Sequence, residues 1–298
     1  MRFFFHPAYV APLPDGHSFP MSKYETTREA LTRAGVLFEE PAIATREMLI
    51  RVHAEAYADA VIAAGVPKEI ERRIGFPLTP AVSLRSRLSV GGTWAAARAA
   101  LADGFAANVA GGSHHAMPDG GAGYCVLNDL AVTAAGLLAE GLVQRLLILD
   151  LDVHQGDGTA VCLAGWPAAF TFSLHAERNF PVRKARSGRD VELADGMADA
   201  EYLDVLAAEL PGLFDVARPQ IVLVQAGVDP HVDDRLGRLA LTDAGLQARD
   251  RMVREACLRA GVPFAVTLGG GYDRDVVRLG ERHAASLLSL AGHYVAAE

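Results

Sequence analysis

Short apolar runs alternate with amphipathic stretches along most of the chain. The runs at 105–110, 145–151, 169–174, 220–225 and 263–268 have the length and apolar character of buried strands. Helical periodicity follows them at 128–141, 158–164, 199–216, 243–260 and from about 274. Strands that alternate with helices in this way predict βαβ units, and therefore an α/β fold with a mostly parallel sheet covered by helices on both faces.

The first hundred residues are predicted to be mainly helical. The predicted elements are a strand at 2–5, a loop at 6–20, a helix from a capping box at 22–25 to Gly35, a helix over about 45–64, an irregular stretch at 65–79, and a helix from Thr79-Pro80 to about 102 that is broken or bent near Gly91-Gly92. No internal repeat, linker or change of composition interrupts the chain. We therefore expect a single domain spanning residues 1–298.

Polar side chains gather where the predicted strands end. An acidic turn at 150–158 follows one strand, and Asp229 follows the strand at 220–225. The glycine-rich loop 111–124 and the run 269–272 follow two others. In open α/β sheets the ligand binds at the edge formed by the carboxyl ends of the strands, so we expect these four segments to form one site.

A divalent metal is the first ligand that these residues suggest. Asp150, Asp152 and His154 alternate along a strand end and therefore share one face. Buried carboxylates are costly unless they are paired or bound to a metal, and carboxylate oxygen and imidazole nitrogen are both zinc ligands. Asp229 is able to complete a three-ligand site with Asp152 and His154, which leaves a coordination position open. The alternative is an acidic turn, with Asp229 in an ordinary βα turn.

His114 and His115 lie side by side in the glycine-rich loop. A metal with two carboxylate ligands acidifies water less than a metal held by histidines, so a separate base is expected, and the histidine pair is the candidate. Asp150 and Asp157 are available to orient the two rings. Tyr272, which follows three glycines, is able to donate a hydrogen bond to an oxyanion. The alternatives are a structural histidine pair and a tyrosine that packs at a helix start.

Composition narrows the choice of partners and compartment. A net charge of −8 over 298 residues argues against a general nucleic-acid binder. The three cysteines, Cys125, Cys162 and Cys257, lie far apart in the sequence and suggest neither a disulfide framework nor a cysteine-based zinc site. This pattern fits a protein of a reducing compartment. No apolar run has the length of a signal peptide or a membrane span, so we expect a cytoplasmic protein. The basic stretch 183–189 is expected to be a solvated, mobile loop.

Taken together, these motifs resemble the histone deacetylase family in order and spacing. The resemblance covers about residues 80–290 and rests on Gly111-Gly112-Ser113-His114-His115, Gly123-Tyr124, Asn128-Asp129, Asp150-Leu-Asp152-Val-His154-Gln-Gly-Asp157-Gly, Asp229 and Gly-Gly-Gly-Tyr272. It implies the three-layer arginase–deacetylase fold, with a mostly parallel sheet of about eight strands and one zinc ion. It also implies a structural potassium ion that is bound through main-chain oxygens near the zinc.

The same resemblance implies a role for each matched residue. By that likeness the zinc ligands are Asp152, His154 and Asp229. The implied catalytic residues are His115 as general base and acid, His114 as its electrostatic partner, Asp150 and Asp157 as the carboxylates that orient His114 and His115, and Tyr272 as the donor to the acyl carbonyl. The implied substrate channel contains Gly123, Tyr124, Phe180, Gly270 and Gly271. The implied potassium site contains Asp150, Asp152, His154, Ser173 and Leu174.

Within the family, three segments look most like the class IV deacetylases and their bacterial relatives. They are Gly91-Gly92-Thr93, Asn179-Phe180-Pro181 and Asp234-Arg235-Leu236-Gly237. That branch is associated with the removal of long fatty-acyl groups from lysine. Two departures leave the acyl length open: Asp157-Gly158 is closer to class I enzymes, and Tyr124 stands where phenylalanine is more usual.

The sequence therefore predicts a zinc-dependent hydrolase that removes an acetyl or longer fatty-acyl group from N-ε-acyl-lysine in a peptide or protein. The alternatives are a deacetylase of a small acylated amine such as an acetylpolyamine, a non-catalytic acyl-group binder, and an arginase-like enzyme with two manganese ions, which would need further aspartate ligands. An Asp/His/Asp site also accepts Fe²⁺ in place of Zn²⁺. The physiological substrate and the oligomeric state are not predicted.

Overall fold

Eight strands form one sheet in the computed structural model, which describes residues 1–292 of the chain. The strands are β1 (Arg2–Phe4), β2 (Phe38–Glu39), β3 (Phe105–Asn108), β4 (Leu146–Asp150), β5 (Ala169–Ala176), β6 (Arg189–Leu193), β7 (Val222–Gln225) and β8 (Phe264–Thr267). Their order across the sheet is β2-β1-β3-β8-β7-β4-β5-β6, and every neighbouring pair is parallel. The predicted α/β sheet of about eight strands is confirmed.

Helices cover both faces of this sheet. They are α1 (Lys23–Arg33), α2 (Arg46–Leu49), α3 (Glu55–Ile62), α4 (Lys68–Ile74), α5 (Pro80–Asp103), α6 (Asp129–Ala139), α7 (Asp157–Cys162), α8 (Asp199–Ala217), α9 (Asp243–Ala260) and α10 (Val276–Ala291). The central strand β4 shows why two layers are needed. Leu147 and Leu149 belong to one apolar cluster, whereas Leu146 and Ile148 belong to another. Because alternate residues of a strand face opposite sides, β4 is buried between two layers.

The strand order brings the four polar segments together. β3, β8, β7 and β4 are neighbours in the sheet, and all of them are parallel. The loop 111–124 follows β3, the run 269–272 follows β8, Asp229 follows β7, and the acidic turn 150–158 follows β4. The four segments therefore lie along one edge of the sheet, as the sequence predicts.

Two strands, β6 and β2, are not predicted from the sequence pattern. The stretch 175–198 is predicted to be irregular, but it contains β6, which pairs with the end of β5 at the border of the sheet. β6 is an edge strand that is partly exposed to solvent, and it carries the charged residues Arg189, Asp190 and Glu192. Because of these charges, the strand lacks the alternation of apolar and polar residues by which a strand is predicted. β2 has only two residues and is too short to show a periodicity.

The helices differ from the prediction in the first hundred residues. The helix predicted over 45–64 is two helices, α2 and α3, and the stretch at 65–79 contains α4. The helix from Pro80 is not broken near Gly91-Gly92, because α5 runs without interruption to Asp103. Gly92 serves close packing there, since a Cβ at this position would lie 2.5 Å from Oδ1 of Asn108. α1 begins at Lys23 as predicted, although the Ser22 side chain makes no capping hydrogen bond.

Two further expectations concern compartment and cysteine chemistry. Among residues 1–292, no helix combines the length and the apolar character that crossing a membrane requires. Cys125, Cys162 and Cys257 are buried and free. The absence of a disulfide between them agrees with the sequence analysis.

Candidate active site

Asp152, His154 and Asp229 converge at the sheet edge. One donor atom from each residue lies within 4.8 Å of the others. His154 Nδ1 is 3.0 Å from Asp152 Oδ1 and 3.1 Å from Asp229 Oδ2. All three residues are buried. Two carboxylates and an imidazole that meet in the protein interior form a donor set suited to a divalent metal.

Neighbouring groups hold the remaining oxygens of the two carboxylates. Asp152 Oδ2 accepts hydrogen bonds from the main-chain N–H of Gly270 at 2.7 Å and from Gln225 Nε2 at 2.9 Å. Asp229 Oδ1 accepts a hydrogen bond from the main-chain N–H of Val153 at 2.9 Å. These bonds direct the other oxygen of each carboxylate towards His154, so the ligand set is oriented by its surroundings.

Each histidine of the adjacent pair binds its own carboxylate. His114 Nδ1 lies 2.7 Å from Asp150 Oδ2, and His115 Nδ1 lies 2.7 Å from Asp157 Oδ1. An ionised carboxylate only accepts hydrogen bonds, so Nδ1 carries the proton in both rings and Nε2 is left for the site. The ring centroids are 4.1 Å apart. The structure thus brings together the two pairs that the sequence suggests.

The two histidines carry different charges. Burial disfavours the cation at His114, but Asp150 and Asp152 outweigh it and raise the pKa of His114 to about 9. At His115, burial and the neighbouring charge of His114 lower the pKa to about 4. Near neutral pH, His114 is therefore an imidazolium and His115 is a neutral imidazole with a free Nε2.

Tyr272 reaches the same space from the loop after β8. Within residues 1–292, its hydroxyl has no hydrogen-bond partner. Burial, followed by the charges of Asp152 and Asp229, raises the pKa of Tyr272 well above its usual value. The hydroxyl therefore stays protonated and is available to donate a hydrogen bond.

A channel leads from the surface to these groups. Its cavity has a volume of about 300 Å³ and is lined by Arg73, Ile74, Gly75, His115, Gly123, Tyr124, His154, Phe180, Leu236 and Tyr272. Phe180 and Leu236 are exposed, whereas His115, His154 and Tyr272 are buried at the inner end. The ring of Phe180 lies 4.8 Å from the ring of His115, edge to face. The walls are mostly apolar and the polar groups lie at the floor.

Gly123 and Tyr124 form one wall in an uncommon backbone conformation. Their φ angles are +53° and +65°. A Cβ at Gly123 would lie 2.7 Å from Cδ2 of His115, so only glycine allows this approach. The Tyr124 hydroxyl is 3.1 Å from Ser18 Oγ, and its ring stacks on Phe76 with the centroids 6.0 Å apart. The tyrosine is thus tied to the loop that precedes α1.

Gly270 and Gly271, which the resemblance places in the channel, are not among the residues that line the cavity of about 300 Å³, although Gly270 lines a smaller cavity of about 30 Å³ next to it. Gly270 lies behind the candidate metal ligands, where its N–H binds Asp152. A Cβ at Gly271 would lie 2.7 Å from Nε2 of His283 in the interior.

Comparison with known proteins agrees with this geometry. The family model of the histone deacetylase domain matches residues 17–288. The chain belongs to the histone deacetylase family. A solved structure of a histone deacetylase homologue complexed with SAHA matches with a TM-score of 0.84 at 26% identity, over 99% of this chain and 85% of that chain. The predicted family and fold are confirmed.

Similar sequences include characterised and uncharacterised members. An uncharacterized protein of Picosynechococcus sp. is 45% identical over 284 residues, which cover 94% of this chain and 95% of that protein. The histone deacetylase-like amidohydrolase of Pseudomonas aeruginosa is 30% identical over 250 residues, which cover 78% of this chain and 66% of that protein. As a member of the histone deacetylase family, the chain is a hydrolase, in agreement with the prediction.

Sequence reasoning misses several residues that support the site of this deacetylase homologue. Gln225 binds Asp152, and the only local signal is a buried polar residue at the end of an apolar strand. Lys23 donates a hydrogen bond to the main-chain oxygen of Gly269 at 3.0 Å, across 246 positions of sequence. No local pattern marks such a contact.

His53 fixes the far end of the loop that carries the histidine pair. Its Nδ1 donates to the main-chain oxygen of Met117 at 3.0 Å, and its Nε2 accepts from the main-chain N–H of Asn128 at 3.0 Å. This arrangement requires the neutral ring. Burial lowers the pKa of His53 to about 4.

We expect His53 to make the fold acid-sensitive between pH 6.5 and pH 4. The unfolded chain takes up a proton near pH 6.5 and the folded chain only near pH 4, so stability is full above pH 6.5 and falls by about 3 kcal/mol across this window. Urea unfolding over this range should show a shallower loss in His53→Gln than in the parent protein. Parallel curves for the two proteins would contradict this assignment.

Proposed function

We propose that this chain is a metal-dependent deacylase that hydrolyses the amide bond of N-ε-acyl-lysine in a peptide or protein. The observation that carries the proposal is the floor of the channel, where the Asp152-His154-Asp229 set, the neutral His115 and the Tyr272 hydroxyl meet. An amide carbonyl delivered through a narrow apolar channel meets a general base and an oxyanion donor at this point. Neither a bare acyl-binding module nor a structural histidine pair requires this combination.

The metal that fits best is zinc. The donor set of two carboxylate oxygens and one imidazole nitrogen is buried, and it leaves a position open towards the channel. When bound, zinc supplies a Lewis acid that polarises the acyl carbonyl and lowers the pKa of water. The same donor set accepts Fe²⁺.

The residues of the chain itself supply proton transfer and charge stabilisation. His115, neutral and oriented by Asp157, accepts a proton from the attacking water through Nε2 and then delivers a proton to the leaving amine. The His114 imidazolium, held by Asp150, offsets negative charge that develops beside it. The Tyr272 hydroxyl donates a hydrogen bond to the oxyanion of the tetrahedral intermediate.

We also propose a potassium ion beneath the zinc ligands. Asp150 and Ser173 are register partners on β4 and β5, and Leu174 follows Ser173. The main-chain oxygens of Asp152 and His154 are buried there and accept no hydrogen bond from residues 1–292. Buried carbonyl oxygens without donors cost free energy unless a cation or water satisfies them.

The charge of the channel favours a lysine peptide over a small cationic amine. None of the residues that line the cavity is acidic. Arg73 is one of the lining residues, and within residues 1–292 its guanidinium forms no salt bridge. An acetylpolyamine would bring its free ammonium group towards this arginine, and like charges repel. A neutral peptide backbone meets no such penalty.

A comparison of two substrates tests this proposal. We expect the zinc-loaded protein to hydrolyse an acetyl-lysine peptide with uncharged flanks more efficiently than a mono-acetylated diamine. Arg73→Glu should raise kcat/KM for the diamine relative to the peptide by about 5-fold, the scale of one exposed charge contact. Arg72→Glu makes the same charge change one residue away, where Arg72 pairs with Glu69 outside the channel, and should have no such effect. Faster hydrolysis of the diamine by the parent protein would favour the small-amine alternative.

We further propose that the acyl group is short. A second cavity of about 30 Å³ lies beyond the channel floor, lined among others by Lys23, Arg85 and Asp152. This cavity has about a tenth of the volume of the channel, which favours a short acyl group over a fatty chain. Lys23 is held by the main-chain oxygen of Gly269, and Arg85 by that of Tyr9, so neither cation is free to move aside. Packing an alkyl chain against them would also cost hydration free energy.

A further inference from the structure

The position of Tyr272 depends on its main chain as well as on the packing of its ring against Tyr124 and Phe19. Its hydroxyl has no hydrogen-bond partner within residues 1–292, and three glycines precede it in the chain. Glycines allow many backbone conformations, so this segment does not fix the tyrosine by itself. Contacts from other segments must hold the peptide groups around Tyr272.

Two consecutive residues of the loop after β7 hold both sides of Tyr272. Asp234 Oδ2 accepts a hydrogen bond from the Tyr272 N–H at 2.7 Å. Arg235 Nε donates a hydrogen bond to the Tyr272 main-chain oxygen at 2.6 Å. Hydrogen bonds to charged groups are stronger than those between neutral groups, so these two contacts restrict the peptide groups on each side of the tyrosine.

Asp234 and Arg235, which clamp the two peptide groups of Tyr272, are themselves held by further hydrogen bonds. Asp234 Oδ1 accepts hydrogen bonds from the N–H groups of Leu236 at 2.8 Å and Gly237 at 2.9 Å. Arg235 Nη2 donates a hydrogen bond to the main-chain oxygen of Ser18 at 2.8 Å. Arg235 thus bridges the Tyr272 loop and the loop before α1, whose Ser18 also contacts the channel residue Tyr124.

We propose that Arg235 is a positioning residue, which holds the Tyr272 hydroxyl at the place where the oxyanion forms. This inference rests on the proposed function, since it deepens the role of Tyr272 in that reaction. Arg235 does not line the channel and makes no salt bridge within residues 1–292, so it acts through the tyrosine. A displacement of about 1 Å in a catalytic group lowers the rate by about 10²-fold.

Kinetics of four variants test this role. Arg235→Gln should lower kcat for an acetyl-lysine peptide by about 30-fold, within the range expected for a misplaced donor, and change KM little. Arg235→Lys keeps the charge, and its single ammonium group reaches one of the two carbonyls. Its kcat should therefore lie between that of the parent protein and that of Arg235→Gln. In a Tyr272→Phe background, Arg235→Gln should have almost no further effect on kcat, because the hydroxyl that it positions is absent. Equal losses in both backgrounds would overturn the proposal.

Arg145→Gln is a matched control. Arg145 Nε also donates to a main-chain oxygen, that of Arg218, but at the opposite end of the sheet. This variant should keep the kcat of the parent protein. A loss equal to that of Arg235→Gln would show that any arginine-to-carbonyl bond has this effect, and would overturn the specific role.

A measurement without substrate separates this inference from the proposed function. Hydrogen exchange at 269–275, followed by mass spectrometry, should become faster in Arg235→Gln and stay unchanged in Arg145→Gln. If the parent protein hydrolyses no acyl-lysine while exchange accelerates as expected, the proposed function fails and the clamp on Tyr272 stands. Unchanged exchange in Arg235→Gln would overturn the clamp whatever the activity.

Discussion

Replacing His115 with alanine is expected to lower kcat for an acetyl-lysine peptide by about 10³-fold, within the range that a general acid–base catalyst contributes. His115 is the neutral member of the histidine pair, since burial and the charge of His114 lower its pKa to about 4. Its Nδ1 is occupied by Asp157 at 2.7 Å, which leaves Nε2 at the floor of the channel. Without this ring, no neutral imidazole lies at the channel floor to carry the proton between the water and the leaving amine.

The bound metal separates this effect from damage to the site. His115 is not one of the three converging ligands, so His115→Ala should still bind one zinc ion per chain, measured by elemental analysis. His6→Ala is a control, because His6 follows β1, binds the main-chain N–H of Ala8 and does not line the channel. It should leave kcat unchanged. A His115→Ala protein that binds zinc and keeps more than a tenth of the parental kcat would exclude His115 as the base.

The second large effect concerns the metal ligands. Asp229→Ala should reduce activity by at least about 10³-fold and abolish stoichiometric zinc binding, because three protein ligands are the usual minimum of a catalytic zinc site. Removal of metal from the parent protein with a chelator should cause a similar loss, and added Zn²⁺ should restore the activity. The variant should not recover under the same conditions.

A surface aspartate provides the control for this experiment. Asp204 on α8 is exposed, and Asp204→Ala removes a carboxylate without touching the channel. It should bind zinc and hydrolyse substrate like the parent protein. If Asp229→Ala bound zinc as the parent does, or if chelation left activity intact, the assignment of the Asp152-His154-Asp229 site would be wrong.

The centre of the fold was accessible from sequence because its signals are local. β4 is an apolar run that ends abruptly in acids and a histidine, Asp229 follows β7, and a run of glycines with Tyr272 follows β8. Parallel strands then require these ends to share an edge. The two histidines and the two aspartates lie at this same edge of the sheet, and each ring needs a carboxylate to orient it. The pairing of His114 with Asp150 and of His115 with Asp157 follows from these two facts.

The remaining features depend on contacts that no local pattern records. Lys23 reaches Gly269 and Arg235 reaches Ser18 across more than 200 positions of sequence. The main-chain N–H of Gly270 reaches Asp152 across 118 positions of sequence. The border strand β6 was hidden by its charges. The close packing of Gly92 on Asn108 is another contact of this kind.

The measurement that tests the central claim most directly is hydrolysis of one lysine peptide that carries either an acetyl or an octanoyl group, by the zinc-loaded protein and its Tyr272→Phe variant. The account predicts release of acetate, at least about 10-fold slower release of octanoate, and a loss of about 10²-fold in the variant, the scale of one oxyanion donor. Equal acetate release by both proteins would contradict the role of Tyr272. No release of either acid with zinc bound would contradict the claim that this chain is an acyl-lysine hydrolase.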